Sequence, residues 1–195
     1  VIVAAHVAAG QAMEARGAYQ EHSWIPLRDY QRERIMTFIA PEVVDPRGTG
    51  SAWNSVQAQQ AVGTGGLTGK GWQSGLQARL GYLPRSVAHN DFIFAVLGEE
   101  WGFLGAGIVL ALYAALILWG LTRGVRTQDR FGSIVAFGIV AMIFWHVVIN
   151  VGMVLGMMPV VGLPLPFLSY GGSSAVITLI GIGLLLNVRA RRYIF

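Results

Sequence analysis

Long apolar runs in the second half of the chain limit its possible folds more than any other feature. Residues 92–121 contain two acids, Glu99 and Glu100, and no basic residue, and residues 131–158 contain no Asp, Glu, Lys or Arg. A helix needs roughly 20 predominantly apolar residues to cross a bilayer. Because 54% of all residues are hydrophobic and only 12% are charged, we expect an all-α integral membrane protein that forms a polytopic helical bundle.

The apolar pattern also predicts where each segment begins and ends. The chain starts abruptly inside an apolar stretch, so we interpret it as the C-terminal part of a longer protein. The predicted segments, in order, are the end of a transmembrane helix (1–9), a large loop with short helices (10–90), two transmembrane helices (91–121 and 131–158), a loop rich in proline and glycine that lies outside or re-enters the membrane (159–174), the last transmembrane helix (175–188) and a tail (189–195).

The arginines predict how these helices are oriented. The turn at 122–130 and the tail together hold six arginines and one aspartate, whereas residues 14–91 hold eight basic and seven acidic residues. By the positive-inside rule, the turn and the tail are cytoplasmic, and the large loop and residues 159–174 are extracytoplasmic. The net charge of +4 follows this pattern and forms no basic patch with interleaved aromatic residues, so a nucleic-acid partner is not expected. The chain has no cysteine, which excludes thiol catalysis.

One acid, Asp91, lies where the polar loop meets the first long apolar run. Charges at the edge of a membrane span are costly and usually functional. We expect Asp91 in the first turn of its helix, where the helix dipole favours a negative charge. That helix would be about 46 Å long. Because this length exceeds the thickness of the hydrocarbon core, about 30 Å, its first turns would protrude from the membrane or the helix would tilt. Glu99 and Glu100 would then lie near the outer interface or face the protein interior.

A glycine-rich loop, residues 62–71 (VGTGGLTGKG), carries Thr64, Thr68 and Lys70. Such a loop exposes backbone N–H groups and, with a lysine at its end, suits a phosphate. It lacks the Lys-Ser/Thr pair and the preceding strand of a Walker A loop. From glycine content alone, a plain flexible loop is favoured over a phosphate site by about two to one.

Two further patterns each leave two interpretations open. Residues 28–39 predict a short amphipathic helix, which either lies on the membrane surface or is a solvated charged helix. His146 and Asn150 are four residues apart and so share one helix face. An interhelical hydrogen-bond pair is favoured over a proton relay there by roughly three to one.

Four motifs in the chain resemble those of one membrane-protein family. They are DYQRERIMTFIAP, AVGTGGLTGKG, AHNDFIFAVLGEEWGFLGA and GMMPVVGLPLPFLSYGGSS, in this order along the chain. They resemble motifs of the SEDS family (shape, elongation, division and sporulation). The Tyr-Gln-Arg-Glu-Arg segment is more similar to the RodA branch of that family than to the FtsW branch.

The resemblance implies a fold, an activity and partners. SEDS proteins have ten transmembrane helices and a large extracytoplasmic loop between the seventh and the eighth, so this chain would hold the end of the seventh helix, that loop and the last three helices. They polymerise lipid II into glycan strands at the bacterial inner membrane, release undecaprenyl pyrophosphate and work with a class B penicillin-binding protein. We therefore expect a peptidoglycan glycosyltransferase that acts in cell elongation and shape maintenance, with its active site on the extracytoplasmic side.

The resemblance also suggests which residues form the site. The essential aspartate of the family corresponds to Asp91, and we hypothesise that Asp91 is the base that deprotonates the acceptor hydroxyl, or that it orients the acceptor. Lys70, the glycine N–H groups, Arg79 or a divalent cation (Mg²⁺ or Mn²⁺) would stabilise the pyrophosphate. No metal ligand is assigned, since pairing of Glu99 and Glu100 with a basic residue is favoured over cation binding. The candidate substrate-binding residues are Lys70, Gln57, Thr64, Gly65, Gly66, Arg79, His89, Ser169 and Tyr170.

Two other functions compete with the polymerase. A flippase for the lipid-linked precursor would also need intramembrane acids and a broken helix near a cavity, but at the midplane of the membrane. A non-catalytic scaffold for the penicillin-binding protein would need no cluster of candidate site residues in the loop.

Overall fold

In the computed structural model, the placement of residues 29–45, 50, 52–75 and 88–190 is described. The predictions for residues 1–28, Arg79 and residues 191–195 lie outside these ranges. The described residues form helices and irregular segments without a β-strand, which confirms the predicted all-α class. The helices are α1 (Asp29–Ile39), α2 (Pro41–Val44), α3 (Trp53–Gly65), α4 (Ile93–Arg126), α5 (Arg130–Val154) and α6 (Gly172–Ala190).

Two of these helices, α4 and α5, are long and apolar enough to cross a membrane. Their most apolar stretches have mean hydropathies of 2.2 and 2.3, and less than a third of each stretch is buried inside the protein. Large apolar side chains such as Ile108, Leu112 and Ile134 are exposed instead, as expected for helices that face lipid. The apolar part of α6, Gly172–Val188, is shorter.

Helix α4 begins at Ile93, so Asp91 precedes the helix and the expectation that it lies in the first turn is wrong. The carbonyl of Phe92 accepts the first helical hydrogen bonds, from the N–H groups of Ala95 and Val96. The carbonyl of Asp91 instead accepts a hydrogen bond from the side chain of Asn150 on α5. A tertiary contact therefore holds Asp91 in the loop that leads into the helix.

Helix α4 is broken at Gly102, which has φ 66° and ψ −167°. Residues other than glycine avoid such a conformation, and the backbone cannot continue its ladder of hydrogen bonds through it. The predicted single helix thus consists of a short segment, residues 93–101, and a longer one, residues 103–126. The longer segment spans about 36 Å, which is sufficient for a hydrocarbon core of about 30 Å.

The glycine-rich loop satisfies the backbone groups that this break leaves without helical partners. Two N–H groups after the break donate to loop carbonyls, and two loop N–H groups donate to carbonyls before it. The four bonds are Phe103 N to Gly66 O (2.9 Å), Leu104 N to Leu67 O (3.0 Å), Lys70 N to Glu99 O (3.0 Å) and Gly71 N to Glu100 O (3.0 Å). Main-chain groups without hydrogen-bond partners are costly near a membrane. Since these four bonds supply the partners, we expect the loop and the broken helix to be stable only together.

Small residues let α4 approach α5 closely. A Cβ atom on Gly120 would lie 2.5 Å from a methyl group of Val140, and one on Gly124 would lie 3.4 Å from the Cβ of Ala136. Such glycines are typical where membrane helices pack. Helix α3 packs on the part of α4 that precedes the break, and α6 packs on α5. The main cluster of buried residues joins α3, α4, α5 and the loop after α5.

Helix α5 begins with a side-chain cap. The carboxylate of Asp129 accepts hydrogen bonds from the N–H groups of Phe131 (3.1 Å) and Gly132 (2.9 Å), as a good N-cap does. The helix ends at Val154, and residues 155–171 form an irregular segment before α6, which we call the Pro/Gly loop.

Candidate active site

The Pro/Gly loop lies directly against the segment that carries Asp91, and Asn150 joins the two. Its side-chain nitrogen donates to the carbonyl of Asp91 (2.9 Å) and to the carbonyl of Leu163 (2.7 Å). Asn150 is fully buried. The neighbouring His146 contacts a carbonyl of its own helix, that of Met142 (2.8 Å), so the two side chains do not act as a bonded pair.

Two more residues of the Pro/Gly loop contact this segment through the backbone. The hydroxyl of Ser169 donates to the carbonyl of Asn90 (2.5 Å) and accepts from the N–H of Leu165 (2.7 Å). The N–H of Tyr170 donates to the carbonyl of His89 (2.9 Å). Ser169 is thus committed to backbone groups, whereas the Tyr170 side chain is 81% exposed.

The Asp91 carboxylate meets helix α1 across Gly162. This glycine has φ 78°, and a Cβ atom on it would lie 3.3 Å from Oδ2 of Asp91 and 3.9 Å from Nη1 of Arg34. Arg34 also donates from Nη1 to the carbonyls of Val160 (3.3 Å) and Val161 (3.1 Å). Three separate parts of the chain therefore converge here: α1, the segment before α4 and the Pro/Gly loop.

Burial and charge act on Asp91 in opposite directions. Partial burial raises the pKa of Asp91 above its ordinary value of 3.8, and the positive charge of Arg34 acts to lower that pKa. A carboxyl whose pKa is raised is a stronger base once it is ionised, which suits proton abstraction.

Lys70 lies in a second cluster, at the break in α4. Its Nζ is 2.8 Å from Oε1 of Glu99 and 2.8 Å from Oγ1 of Thr64, and Glu99 is fully buried. The sequence favours pairing of Glu99 with a basic residue over cation binding, and the structure shows such a pair. The backbone N–H groups of Gly69, Lys70 and Gly71 are all bonded to carbonyls. These bonds hold the loop against the end of α3 and the short segment of α4.

The structure separates this cluster from Asp91. Glu99 follows Ile93 by six positions in the helix, a rise of about 9 Å. Gly65 ends α3 against the backbone of Gly98, where a Cβ atom would lie 1.9 Å from the Gly98 carbonyl oxygen. Of the other predicted site residues, Gln57 is buried on α3, Gly66 accepts a bond from Phe103, the His89 side chain is exposed beside Asp91, and Arg79 lies outside the described residues.

The predicted divalent cation finds no ligand set in the described part of the chain. Within residues 29–75 and 88–190, as far as they are described, no three His, Asp or Glu side chains lie together in a way that could hold a metal ion. The carboxylate of Glu99 is bonded to Lys70. Since Mg²⁺ is commonly held by one or two carboxylates together with substrate phosphates, the divalent cation stays a prediction.

Arg34 and Gly162 were not among the residues predicted from sequence. Arg34 belongs to the Tyr-Gln-Arg-Glu-Arg motif, which was the available signal, but an arginine on a polar helix face does not reveal its partner. That partner lies 126 residues away in the chain. Gly162 lies in a loop where glycine is common, so only its positive φ and the closeness of its Cβ position to the Asp91 carboxylate distinguish it.

Known proteins of one family match this chain over most of its length. The family model of FtsW, RodA and SpoVE, described as cell cycle proteins, matches residues 4–194. Among curated relatives, the peptidoglycan glycosyltransferase MrdB of Escherichia coli K12 is 46% identical over 166 residues, covering 85% of this chain and 44% of MrdB. The probable peptidoglycan glycosyltransferase FtsW of Geobacter metallireducens is 42% identical, covering 84% of this chain and 42% of FtsW. The chain thus spans less than half the length of these relatives.

Two solved structures have a similar fold. One, described as a peptidoglycan synthase complex that coordinates polymerization and crosslinking, matches 94% of this chain and 47% of its own chain, with a TM-score of 0.64 and 32% identity. The other is an aspartate-to-alanine mutant of the rod shape determining protein RodA from Thermus thermophilus, with a TM-score of 0.52, 29% identity and coverage of 94% and 62%. The motifs, the all-helical membrane fold and these matches agree: the chain belongs to the FtsW/RodA/SpoVE family, the SEDS family that its sequence resembles.

Proposed function

We propose that this chain carries the catalytic aspartate of a peptidoglycan glycosyltransferase that polymerises lipid II into glycan strands during cell elongation and shape maintenance. The observation that carries the proposal is the position of Asp91. Its carboxylate is half-buried, lies just before the first residue of a long apolar helix, and is bordered by Arg34 and the Pro/Gly loop. The names of the relatives, peptidoglycan glycosyltransferases at 42–46% identity, support the same activity.

The chemistry asks for one base at this position. The 4-hydroxyl oxygen of the acceptor sugar attacks the anomeric carbon of the donor, and the bond from that carbon to the pyrophosphate oxygen breaks. Asp91 takes the hydroxyl proton, and undecaprenyl pyrophosphate leaves with the bonding electrons. General-base catalysis of this kind contributes about 10²–10⁴-fold to the rate.

Lys70 has a supporting role in this proposal. Its ammonium group is bonded to Glu99 and Thr64, and the loop N–H groups are used within the fold. Lys70 therefore fixes the glycine-rich loop against the broken helix. Arg79 of this chain, or a cation from elsewhere in the full-length protein, would neutralise the pyrophosphate.

The proposal places the protein in the bacterial inner membrane with Asp91 at its outer face. The arginines at 123, 126 and 130 lie at the far end of α4 and the start of α5, and the positive-inside rule assigns that end to the cytoplasm. A class B penicillin-binding protein would be the partner that cross-links the product strands. The similar peptidoglycan synthase complex, which couples polymerization to crosslinking, supports such a partner.

The charges favour a polymerase over a flippase. Residues 103–128 of α4 and the following turn contain no acid, and neither does α5. The acid between them, Asp129, lies in the turn that this proposal assigns to the cytoplasm. His146 is bonded to the carbonyl of its own helix. A transporter that moves a polar headgroup would need ionisable groups near the midplane.

Two assays of the full-length protein with its penicillin-binding partner test the proposal. We expect purified complex and lipid II to give a ladder of glycan strands, and vesicles that contain the protein to show no accelerated transfer of labelled lipid II across the bilayer. Rapid transfer without a ladder would favour the flippase. Neither ladder nor transfer, combined with rescue of growth by a loop mutant, would favour the scaffold.

A further inference from the structure

A cleft of about 460 Å³ lies between α1 and α3, next to the Asp91 cluster. Pockets for small ligands measure roughly 300–1,000 Å³. One wall comes from α1, the facing wall comes from the first turns of α3, and residues 156 and 158–160 close the base. We call this space the α1–α3 cleft. Resting on the polymerase function proposed above, we infer that the α1–α3 cleft binds the terminal sugar of the acceptor strand.

The lining of the cleft has the chemistry of a carbohydrate site. Its walls combine hydrogen-bonding side chains with the exposed ring of Phe38, which is 41% accessible and offers an apolar surface to the C–H face of a sugar. Amides and hydroxyls donate and accept at once, as sugar hydroxyls and acetamido groups do. The hydrogen-bonding residues are Glu33, Arg34, Thr37, Asn54, Ser55 and Gln59.

The charges of the cleft favour a sugar over a pyrophosphate. Its charged residues, Glu33 and Arg34, are neighbours of opposite sign, so the lining has no net charge to offer an anion. Arg34 already donates to two carbonyls of the Pro/Gly loop. A pyrophosphate in the cleft would share it with the carboxylate of Glu33, and the two negative charges would repel each other. The acceptor sugar carries the reacting hydroxyl and needs no cation.

The position of the cleft fits an acceptor that Asp91 deprotonates. Arg34 and Val160 line the cleft, and two residues further along the chain lies Gly162, on which a Cβ atom would be 3.3 Å from Oδ2 of Asp91. Two residues of chain extend at most about 7 Å, which is the scale of one sugar ring. A sugar in the cleft would therefore present a hydroxyl towards Asp91.

Point variants and a direct binding assay of the full-length complex test this inference. Asn54→Ala and Gln59→Ala each remove one hydrogen-bonding group, and we expect each to raise KM for lipid II about fivefold. Gln60→Ala is the matched control, because Gln60 is an exposed neighbour outside the cleft lining. Ser55→Trp places a bulky indole ring in the cleft, where it would obstruct a sugar, and should abolish polymerisation. The soluble disaccharide of N-acetylglucosamine and N-acetylmuramic acid serves as the binding probe in saturation-transfer NMR.

The binding probe separates this inference from the proposed function. In an Asp91→Asn background, in which turnover is about 10²–10⁴-fold slower, we expect the disaccharide to bind, and to lose binding when Ser55→Trp is added. If wild type gives a glycan ladder while Asn54→Ala and Gln59→Ala keep wild-type KM and probe binding, the inference is overturned and the polymerase stands. If wild type gives no ladder, the polymerase proposal fails instead. The two alanine variants keep the test decisive should the tryptophan variant not fold.

Discussion

The ammonium of Lys70 lies 2.8 Å from the carboxylate of Glu99, which is fully buried beside the break in α4. This pair joins the glycine-rich loop to the short helical segment that follows Asp91. Removing one partner of a buried pair leaves an uncompensated charge, whereas removing both does not. The pair therefore predicts an asymmetric response to mutation.

Lys70→Met should destabilise the complex by about 2 kcal/mol. This cost is smaller than that of breaking a fully buried pair, because the Lys70 side chain is 29% exposed. Adding Glu99→Gln to Lys70→Met should recover much of the lost stability and activity, since no buried charge remains. A double-mutant cycle on unfolding temperature and lipid II polymerisation measures this coupling. If the double variant is stable but as inactive as Lys70→Met, Lys70 contacts the substrate itself.

Gly102 should tolerate no side chain. A Cβ atom there would lie 2.3 Å from the N of Gly69, and the positive φ is strained for any other residue. Gly102→Ala should therefore cost about 3 kcal/mol or more. Gly107→Ala is the control, because nothing lies within 4 Å of its Cβ position in the same helix, and it should be neutral or stabilising by up to about 1 kcal/mol. Equal unfolding temperatures for the two variants would contradict the described break.

Asn150 should act by positioning Asp91. Asn150→Ala leaves the carbonyls of Asp91 and Leu163 without this donor, at a cost of about 2 kcal/mol, and should lower kcat about tenfold by loosening the site. His146→Ala, one turn earlier on α5, should change kcat little, since His146 contacts only the carbonyl of its own helix among the bonds described. Loss of activity in His146→Ala would restore the proton-relay interpretation.

The pH dependence of polymerisation should depend on Arg34. Activity needs ionised Asp91, so it should fall as the pH drops through the folded-state pKa, which burial raises above 3.8. Arg34 acts to lower that pKa. Arg34→Gln should therefore move the acid limb of the kcat/KM profile to higher pH, while Arg34→Lys, which keeps the charge, should move it less. An unmoved limb in Arg34→Gln would show that Asp91 is not the titrating group.

The sequence predicted the all-helical membrane class and the position of Asp91 where the polar loop meets an apolar helix, because apolar run length and local motifs determine these features. It did not predict the break at Gly102, since glycine is ordinary inside membrane helices. The break depends on bonds between residues 66–71 and 99–104, which no local pattern reveals. The contacts of Arg34 and Asn150 with the Asp91 region likewise join residues more than 50 positions apart.

Asp91→Asn should separate catalysis from stability. A raised pKa means that folding favours the protonated carboxyl, so its stabilising contribution is present below pH 3.8 and is lost as the pH rises through the folded-state pKa. At pH 7 the neutral amide should thus leave the unfolding temperature unchanged or higher. A marked fall in unfolding temperature would instead make Asp91 a structural residue.

The most direct test of the central claim is the rate of lipid II polymerisation by the full-length complex, wild type against Asp91→Asn, read from the glycan product ladder. We predict that the Asp91→Asn complex, folded and bound to its penicillin-binding partner, polymerises about 10²–10⁴-fold more slowly. A ladder formed at the wild-type rate by that folded complex would contradict the assignment of Asp91 as the catalytic base.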